Sequence, residues 1–400
     1  MQHTGRRVVK VGVCARLWTP VLHAARIVAV ALFAAAGTGI PVVLAEEPPP
    51  DRGQLLDVHA GGRAVPGLTP GDWDYGWPGA YFEARFSGSA VDIHLSDYQS
   101  ALAVLIDGQE VKRLDHPGAG VQEIRGLADG EHTIRLIKIN ESYSDHATFG
   151  GFYIPAGETP LPAPTRTRQI EFIGDSETLG LSNLSKRRQC EGSEIVDQTD
   201  TRLSFAARTA AHFDADYQIV AMSSRGLLRN YAGLDAPNNM QTYYERAFPY
   251  VADKVYQRPA SWAPSVVVIS LGTNDFSVGL QDGEPWADMD AFRAAYIDSY
   301  VAFVGRLRAL DPGAYFVLTA KDGYAKEVQA VYDRLQASGE ARVAFVHFTG
   351  LSLMACNYHP DVGDHASMAS AIIAAIDAAG SVWASGGDPV VTGSTVPHAN

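Results

Sequence analysis

Four hundred residues, 46% of them hydrophobic and 19% charged, can bury one large core and more naturally two, at about 100 to 200 residues per domain. The formal net charge of −13 argues against a nucleic acid or an anionic membrane as partner. A neutral partner such as a polysaccharide is compatible with it, although acidity that keeps an exported chain soluble accounts for the charge as simply.

The first 45 residues hold Arg6, Arg7, Lys10, Arg16 and Arg26 and no acid, and they end in an apolar run from Ile27 to Leu44 that closes on Ala45 before Glu46. That is the pattern of a secretory signal peptide over 1–45. An uncleaved anchor is the competing reading, weakened by Gly37, Gly39 and Pro41 within the run. Arg6-Arg7 matches a twin-arginine signal poorly, because the apolar run begins far downstream. With those five basic residues removed, the remaining chain carries a formal charge of −18. The expected location is secreted or periplasmic, with no membrane association after cleavage. Cys14 would leave with the signal, making Cys190 and Cys356 a candidate bridge in a compartment where disulfides persist.

Residues 46–52 are Pro-rich and charged. The span 46–155 then shows short alternating runs, Tyr81–Phe86, Ala90–Leu95, Leu102–Ile106 and His132–Ile139, separated by the turn signals Ser87-Gly88, Asp107-Gly108 and Asp129-Gly130. Such runs predict an all-β sandwich of the jelly-roll kind. Trp73, Tyr75 and Trp77 within it read either as packing between strands and domains or as a sugar platform. Four prolines between 154 and 168 mark a linker, taken as 156–168.

From 169 to 380 the pattern changes to buried runs, Ile170–Ile173, Tyr217–Ala221, Val266–Leu271, Tyr315–Thr319 and Val343–Phe348, alternating with helical stretches at 201–213, 289–310, 325–337 and 366–379. This alternation predicts an α/β fold, a parallel sheet between helices in three layers. Residues 381–400 are rich in Gly, Ser and Pro and read as a flexible tail.

Three segments of this part carry candidate chemistry. Ser176 follows the first strand, at the carboxyl edge where reactive groups of open α/β sheets collect, though a serine there is also an ordinary helix cap. Asn274 lies in Gly272-Thr273-Asn274-Asp275 after another buried run; its amide can donate to an oxyanion, while an Asx turn satisfying backbone donors is the plainer reading. His359 in Cys356-Asn357-Tyr358-His359-Pro360 arrives on a late loop. Together they stand in the order nucleophile, oxyanion donor, base. Metal binding is set aside, because His359 and His365 are six apart with no familiar zinc spacing around them; no cofactor is expected.

Gly174-Asp175-Ser176, Gly272-Thr273-Asn274-Asp275 and His359-Pro360 are similar to the ordered sequence blocks of the SGNH/GDSL hydrolases. A preceding β-sandwich, Trp262-x-Pro264 and Cys-x-x-His-Pro make the chain resemble carbohydrate esterase family two in particular, over about residues 55–380. The resemblance implies a serine carboxylic ester hydrolase, acetylxylan-esterase-like, that removes acetyl groups from plant oligo- or polysaccharides of the xylan or mannan type. It implies Ser176 as nucleophile, His359 as base, and an oxyanion hole from the Ser176 N–H, Asn274 and a glycine after the second strand. Gly226 is the candidate there, with the N–H of Ser224 as the other choice.

The usual SGNH acid, three residues before the histidine, is replaced by Cys356. The family-two resemblance implies a main-chain carbonyl near Tyr358 as the orienting group; the sequence itself leaves Asp361 and Asp364 open as substitutes. Cys356 is then explained as a structural half-cystine with Cys190. Two other readings stay open: a lipase or thioesterase preferring long acyl chains, and a non-catalytic carbohydrate-binding protein in which the β-sandwich does the binding.

Overall fold

The structure is a computed structural model that describes residues 53–143 and 146–383. The signal-peptide expectation, the stretch 46–52 and most of the expected tail lie outside the described residues.

The first part is all antiparallel. Its strands are β1 (Gln54–Leu55), β2 (His59–Gly61), β3 (Val65–Pro66), β4 (Trp73–Tyr75), β5 (Tyr81–Asp97), β6 (Ala101–Ile106), β7 (Gln109–Asp115), β8 (Gly118–Lys138), β9 (Ala147–Ile154) and β10 (Thr159–Leu161). Asp107-Gly108 closes the β6–β7 hairpin, both residues with positive φ, as a two-residue turn between right-twisted strands requires. Ser87-Gly88 and Asp129-Gly130, expected to separate strands, instead lie inside β5 and β8. Gly88 faces Gly130 across the pair, and the register shifts between Gly88 and Ala90. A strand without side chains at that point can bend. One half of β5 and β8 therefore pairs with β6, β2 and β10 and the other half with β9. The sandwich is one continuous sheet folded on itself. Phe82 from one half stacks on Phe149 from the other, centroids 4.2 Å apart, inside a core that also holds Phe86, Ile93, Leu136 and Phe152.

The second part is a parallel sheet in the order β12-β11-β13-β14-β15, from β11 (Gln169–Gly174), β12 (Asp216–Ala221), β13 (Val266–Ser270), β14 (Tyr315–Lys321) and β15 (Val343–Phe348). β11, β12 and β13 are buried almost throughout, which explains their unbroken apolar runs. Alternate side chains serve opposite faces. Ile173, Val267 and Ile269 pack with Phe292–Leu307 and Val328–Leu335, whereas Phe172, Val266 and Val268 pack with Phe205–Ala210 and Met368–Ile376. The observed helices include Phe205–His212, Met289–Leu310, Ala325–Ala337 and Val362–Ala378.

The two parts share packing. Tyr81, Ala103, Ile137 and Ile139 of the antiparallel sheet belong to the same apolar cluster as β11 and β13. Trp77 is fully buried, its indole N–H donating to the Ala247 carbonyl at 3.0 Å. Burial of Tyr75 and Trp77 takes both away from any sugar-facing surface.

Candidate active site

In the order β12-β11-β13 the chain leaves β11 first to one side and then to the other, so the carboxyl ends of these strands flank the switch point where open α/β sheets bind their ligands. Register sharpens this: Gly174 pairs with Ala221 on one side and with Ser270 on the other. The three strands end level, and the loops after them carry Ser176, Ser224 and Asn274.

Ser176 opens the short helix Ser176–Leu179, capped by the Asp175 carboxylate, which accepts from the Glu177 N–H at 3.0 Å. As the first helical residue, Ser176 keeps an N–H that no helical carbonyl reaches. Its Oγ lies 2.8 Å from His359 Nε2, and His359 Nδ1 lies 2.8 Å from the Cys356 carbonyl oxygen. A carbonyl can only accept, so Nδ1 bears the proton and Nε2 is left as the acceptor for the serine hydroxyl. This is a hydroxyl held against a base in the tautomer that can deprotonate it.

The carbonyl expected near Tyr358 is that of Cys356, two residues before Tyr358's own. The turn Cys356–Tyr358 carries positive φ at Asn357 and Tyr358, which curls the Cys356 carbonyl back toward the ring. Neither carboxylate substitute reaches the imidazole. Asp361 caps Val362–Ala378 through the N–H groups of Gly363 and Asp364, and Asp364 accepts from Ser352 and Leu353 N–H at 2.7 and 2.8 Å. His365 is buried in that helix, its Nδ1 accepting from the Phe205 N–H at 3.2 Å.

Burial pushes the His359 imidazole below the usual histidine value, against the opposite pull of the Glu177 charge and the Cys356 carbonyl. Glu177, almost fully buried, is ion-paired with Lys321 at the end of β14. Asp175 is raised well above the ordinary carboxyl range by burial and by the Glu177 charge.

Asn274 Nδ2 donates to Asp175 Oδ2 at 3.1 Å and to the Arg225 carbonyl at 3.0 Å. Asp275 satisfies backbone donors, but of a distant loop and not of its own turn: it accepts from the N–H groups of Leu227, Leu228 and Arg229, each at 2.9 Å. Burial still pushes its carboxyl up to about 6. Gly226 is a structural glycine here. A Cβ on it would come within 2.1 Å of the Arg229 carbonyl, and its N–H is taken by Asn230 Oδ1 at 3.2 Å. Ser224, with φ +63° in the region glycine favours, is exposed, and its N–H has no partner among the described residues. Of the two choices left by the sequence, Ser224 has the free donor.

Cys190 and Cys356 are disulfide-bonded, with Cα atoms 5.5 Å apart. Arg188 reinforces the link, donating to the carbonyls of Leu353 and Ser352 and accepting on its own carbonyl from Asn357 N–H. Among the described residues no group of three His, Cys, Asp or Glu side chains is arranged to hold a metal ion. A cavity lined by Trp73, Trp262, Gln169 and Asp216 opens at the amino ends of β11 and β12, the opposite edge of the sheet from Ser176.

Residues 60–164 match the family described as carbohydrate esterase 2, N-terminal, and residues 170–379 match the GDSL-like lipase/acylhydrolase family. The chain is 35% identical over 343 residues to an acetylxylan esterase / glucomannan deacetylase of Cellvibrio japonicus (strain Ueda107), covering 83% of this chain and 94% of that protein. It is 28% identical to the cellulase/esterase CelE of Acetivibrio thermocellus, over 75% of this chain and 37% of that longer protein. A solved carbohydrate esterase, described as having an active site with divergent catalytic and non-catalytic binding functions, matches with a TM-score of 0.77 at 34% identity, covering 83% of this chain and all of that one (100%). A family two carbohydrate esterase from Clostridium thermocellum in complex with cellohexaose matches at 0.69 and 26%, covering 81% and 99%. With both family matches and these relatives spanning the antiparallel and the parallel sheets alike, the chain belongs to carbohydrate esterase family two and is a carboxylic ester hydrolase.

Proposed function

We propose that this protein removes O-acetyl groups from plant polysaccharides of the xylan or mannan type by a Ser176–His359 acetyl-enzyme mechanism. The observation that carries the proposal is the chain of contacts from Ser176 Oγ through His359 to the Cys356 carbonyl, 2.8 Å at each step. Ser176 Oγ adds to the acetyl carbonyl as its proton passes to His359 Nε2. The tetrahedral intermediate collapses as the same proton moves to the departing sugar oxygen, leaving acetate esterified to Ser176. Water, deprotonated by His359, repeats the sequence and releases acetate.

The Ser176 N–H, the Ser224 N–H and Asn274 Nδ2 would hold the oxyanion. Asn274 does so by turning one amide hydrogen away from the Arg225 carbonyl or the Asp175 carboxyl. The substrate class rests on the relatives, one of which is named for acetylxylan and glucomannan. Tyr358, 62% exposed beside His359 with Arg188 4.6 Å from its ring, offers an aromatic face within reach of a bound sugar. Export is part of the proposal: the Cys190–Cys356 bridge suits an oxidising compartment, and no helix among the described residues is long and apolar enough to cross a membrane.

Acetate release from acetylated xylan and glucomannan, with Ser176→Ala as control, tests the reading. The variant is expected to keep its fold and lose at least about 10⁴-fold in turnover; wild-type-like activity in it would end the proposal. Preference for p-nitrophenyl octanoate over the acetate would favour a lipase instead.

A further inference from the structure

The oxyanion loop, Met222 to Gly226, receives one of its hydrogen bonds from outside the parallel-sheet part. Glu141, just beyond β8 of the antiparallel sheet, is 2% exposed, and its Oε1 accepts from the Ser223 N–H at 3.0 Å. β12 ends at Ala221, so no neighbouring strand can take that N–H.

The rest of the loop is tied as well. Met222 N–H donates to the Gly174 carbonyl, Arg225 N–H to Met222, and Gly226 N–H to Asn230 Oδ1. The Ser224 carbonyl accepts from Tyr231 N–H and the Arg225 carbonyl from Asn274. The Ser224 N–H alone among these donors points to no partner within the described residues, and the bond to Glu141 fixes the Met222–Ser223 peptide, immediately before the Ser223–Ser224 peptide that carries that N–H.

The residues on both sides of Glu141 are held in place, while its second carboxyl oxygen is buried without a partner among the described residues. Asn140 Oδ1 accepts from Ala101 N–H at 2.9 Å, and Lys138 Nζ donates to Ser100 and Ser142 hydroxyls at 2.8 Å each. Thr201 of the second part donates to the Ile139 carbonyl through its N–H at 2.9 Å and its hydroxyl at 3.0 Å. A carboxylate with one oxygen on a backbone N–H, buried and clamped at both flanks, is a heavy investment for a surface loop. Removal of such a partner leaves the Ser223 donor unpaired and its peptide held only by the Arg225 N–H on the Met222 carbonyl.

We infer that Glu141 is a positioning residue of the oxyanion hole, so that the antiparallel sheet completes the active site instead of acting as a separate binding module. The inference rests on the oxyanion assignment under the proposed function. It adds that displacement of a donor by about 1 Å costs up to about 100-fold in rate.

The test compares Glu141→Ala, Glu141→Asp and Glu141→Gln in the full chain, with p-nitrophenyl acetate as substrate and phenylboronic acid as a tetrahedral analogue. Glu141→Ala is expected to lower kcat by about 10- to 100-fold with KM little changed, and to weaken boronate inhibition by the same factor as kcat/KM. Glu141→Asp, which withdraws the carboxylate by one methylene, should show the same signature more weakly, and carries the test if the alanine variant does not fold. Glu141→Gln, which keeps an acceptor oxygen in place, should recover most of the loss. Unchanged kcat in folded Glu141→Ala or Glu141→Asp overturns the inference, as does a loss confined to KM or unchanged boronate affinity alongside a lower kcat. If wild-type protein lacks turnover that Ser176→Ala abolishes, the function proposal fails and this inference falls with it. Normal wild-type turnover with an indifferent Glu141 removes the inference alone.

Discussion

The two halves of the site are held by different means. On the nucleophile side, three strand ends in register set the loops, and the buried carboxyls of Asp175 and Asp275 stitch those loops to one another. On the histidine side β15 ends level with β14, Phe348 facing Lys321, but His359 stands eleven positions further on and no carboxylate meets its ring. A covalent bridge, one arginine and a main-chain carbonyl do the work. The lesson is that a serine hydrolase needs its base in one tautomer and one place, and a backbone oxygen can supply both. A carbonyl stabilises imidazolium less than a carboxylate would.

That contrast can be broken from either side. After Ser176→Ala itself, the larger expected effect is again on the nucleophile side: Asn274→Ala should lower kcat for acetyl esters by about 10² to 10³ with KM nearly unchanged, measured by steady-state kinetics. A loss below about 10-fold would place the oxyanion elsewhere.

On the histidine side, replacing Cys190 and Cys356 together by serine should cost about 2 to 5 kcal/mol in denaturant unfolding. It should also lower kcat by roughly 10-fold, because the carbonyl that aims His359 belongs to a bridged residue. Stability lost with kcat intact would show that the bridge holds only the fold.

The smallest effect sharpens the electrostatics. Burial lowers the His359 value, so its neutral, base-competent form persists to lower pH than an ordinary histidine allows. The acid limb of kcat/KM should therefore fall below pH 6.5. A limb at or above 6.5 would show that the Glu177 charge outweighs burial.

Much of this was legible in the sequence because it is written in side chains with periodicity. The five parallel strands read as buried apolar runs, and Ser176, Asn274 and His359 stood at their ends or on the last loop. What stayed hidden involves the main chain or long-range partners. The sequence points to a carbonyl near Tyr358 without singling out that of Cys356, because which carbonyl turns inward depends on two positive φ angles that no side chain announces. Gly226 resembled an oxyanion donor because glycine also answers steric crowding, here against Arg229 and Asp275. The role of Asp275 is hidden in the sequence, since adjacency does not reveal that its partners lie nearly fifty positions away. Ser87-Gly88 and Asp129-Gly130 looked like turns, but glycines facing each other across two strands let a sheet fold over without ending. Glu141 gave no signal apart from being an acid at the end of an alternating run.

The Cys190–Cys356 bridge has a consequence for how the enzyme comes into being. Cys356 contributes a sulfur to the crosslink and an oxygen to the imidazole, so one residue both closes 166 residues of chain and holds the proton on His359 Nδ1. If the double serine variant loses activity as expected, a newly made chain with both thiols reduced would contain every proposed catalytic side chain and aim its base less well. Oxidation would then act as the final maturation step.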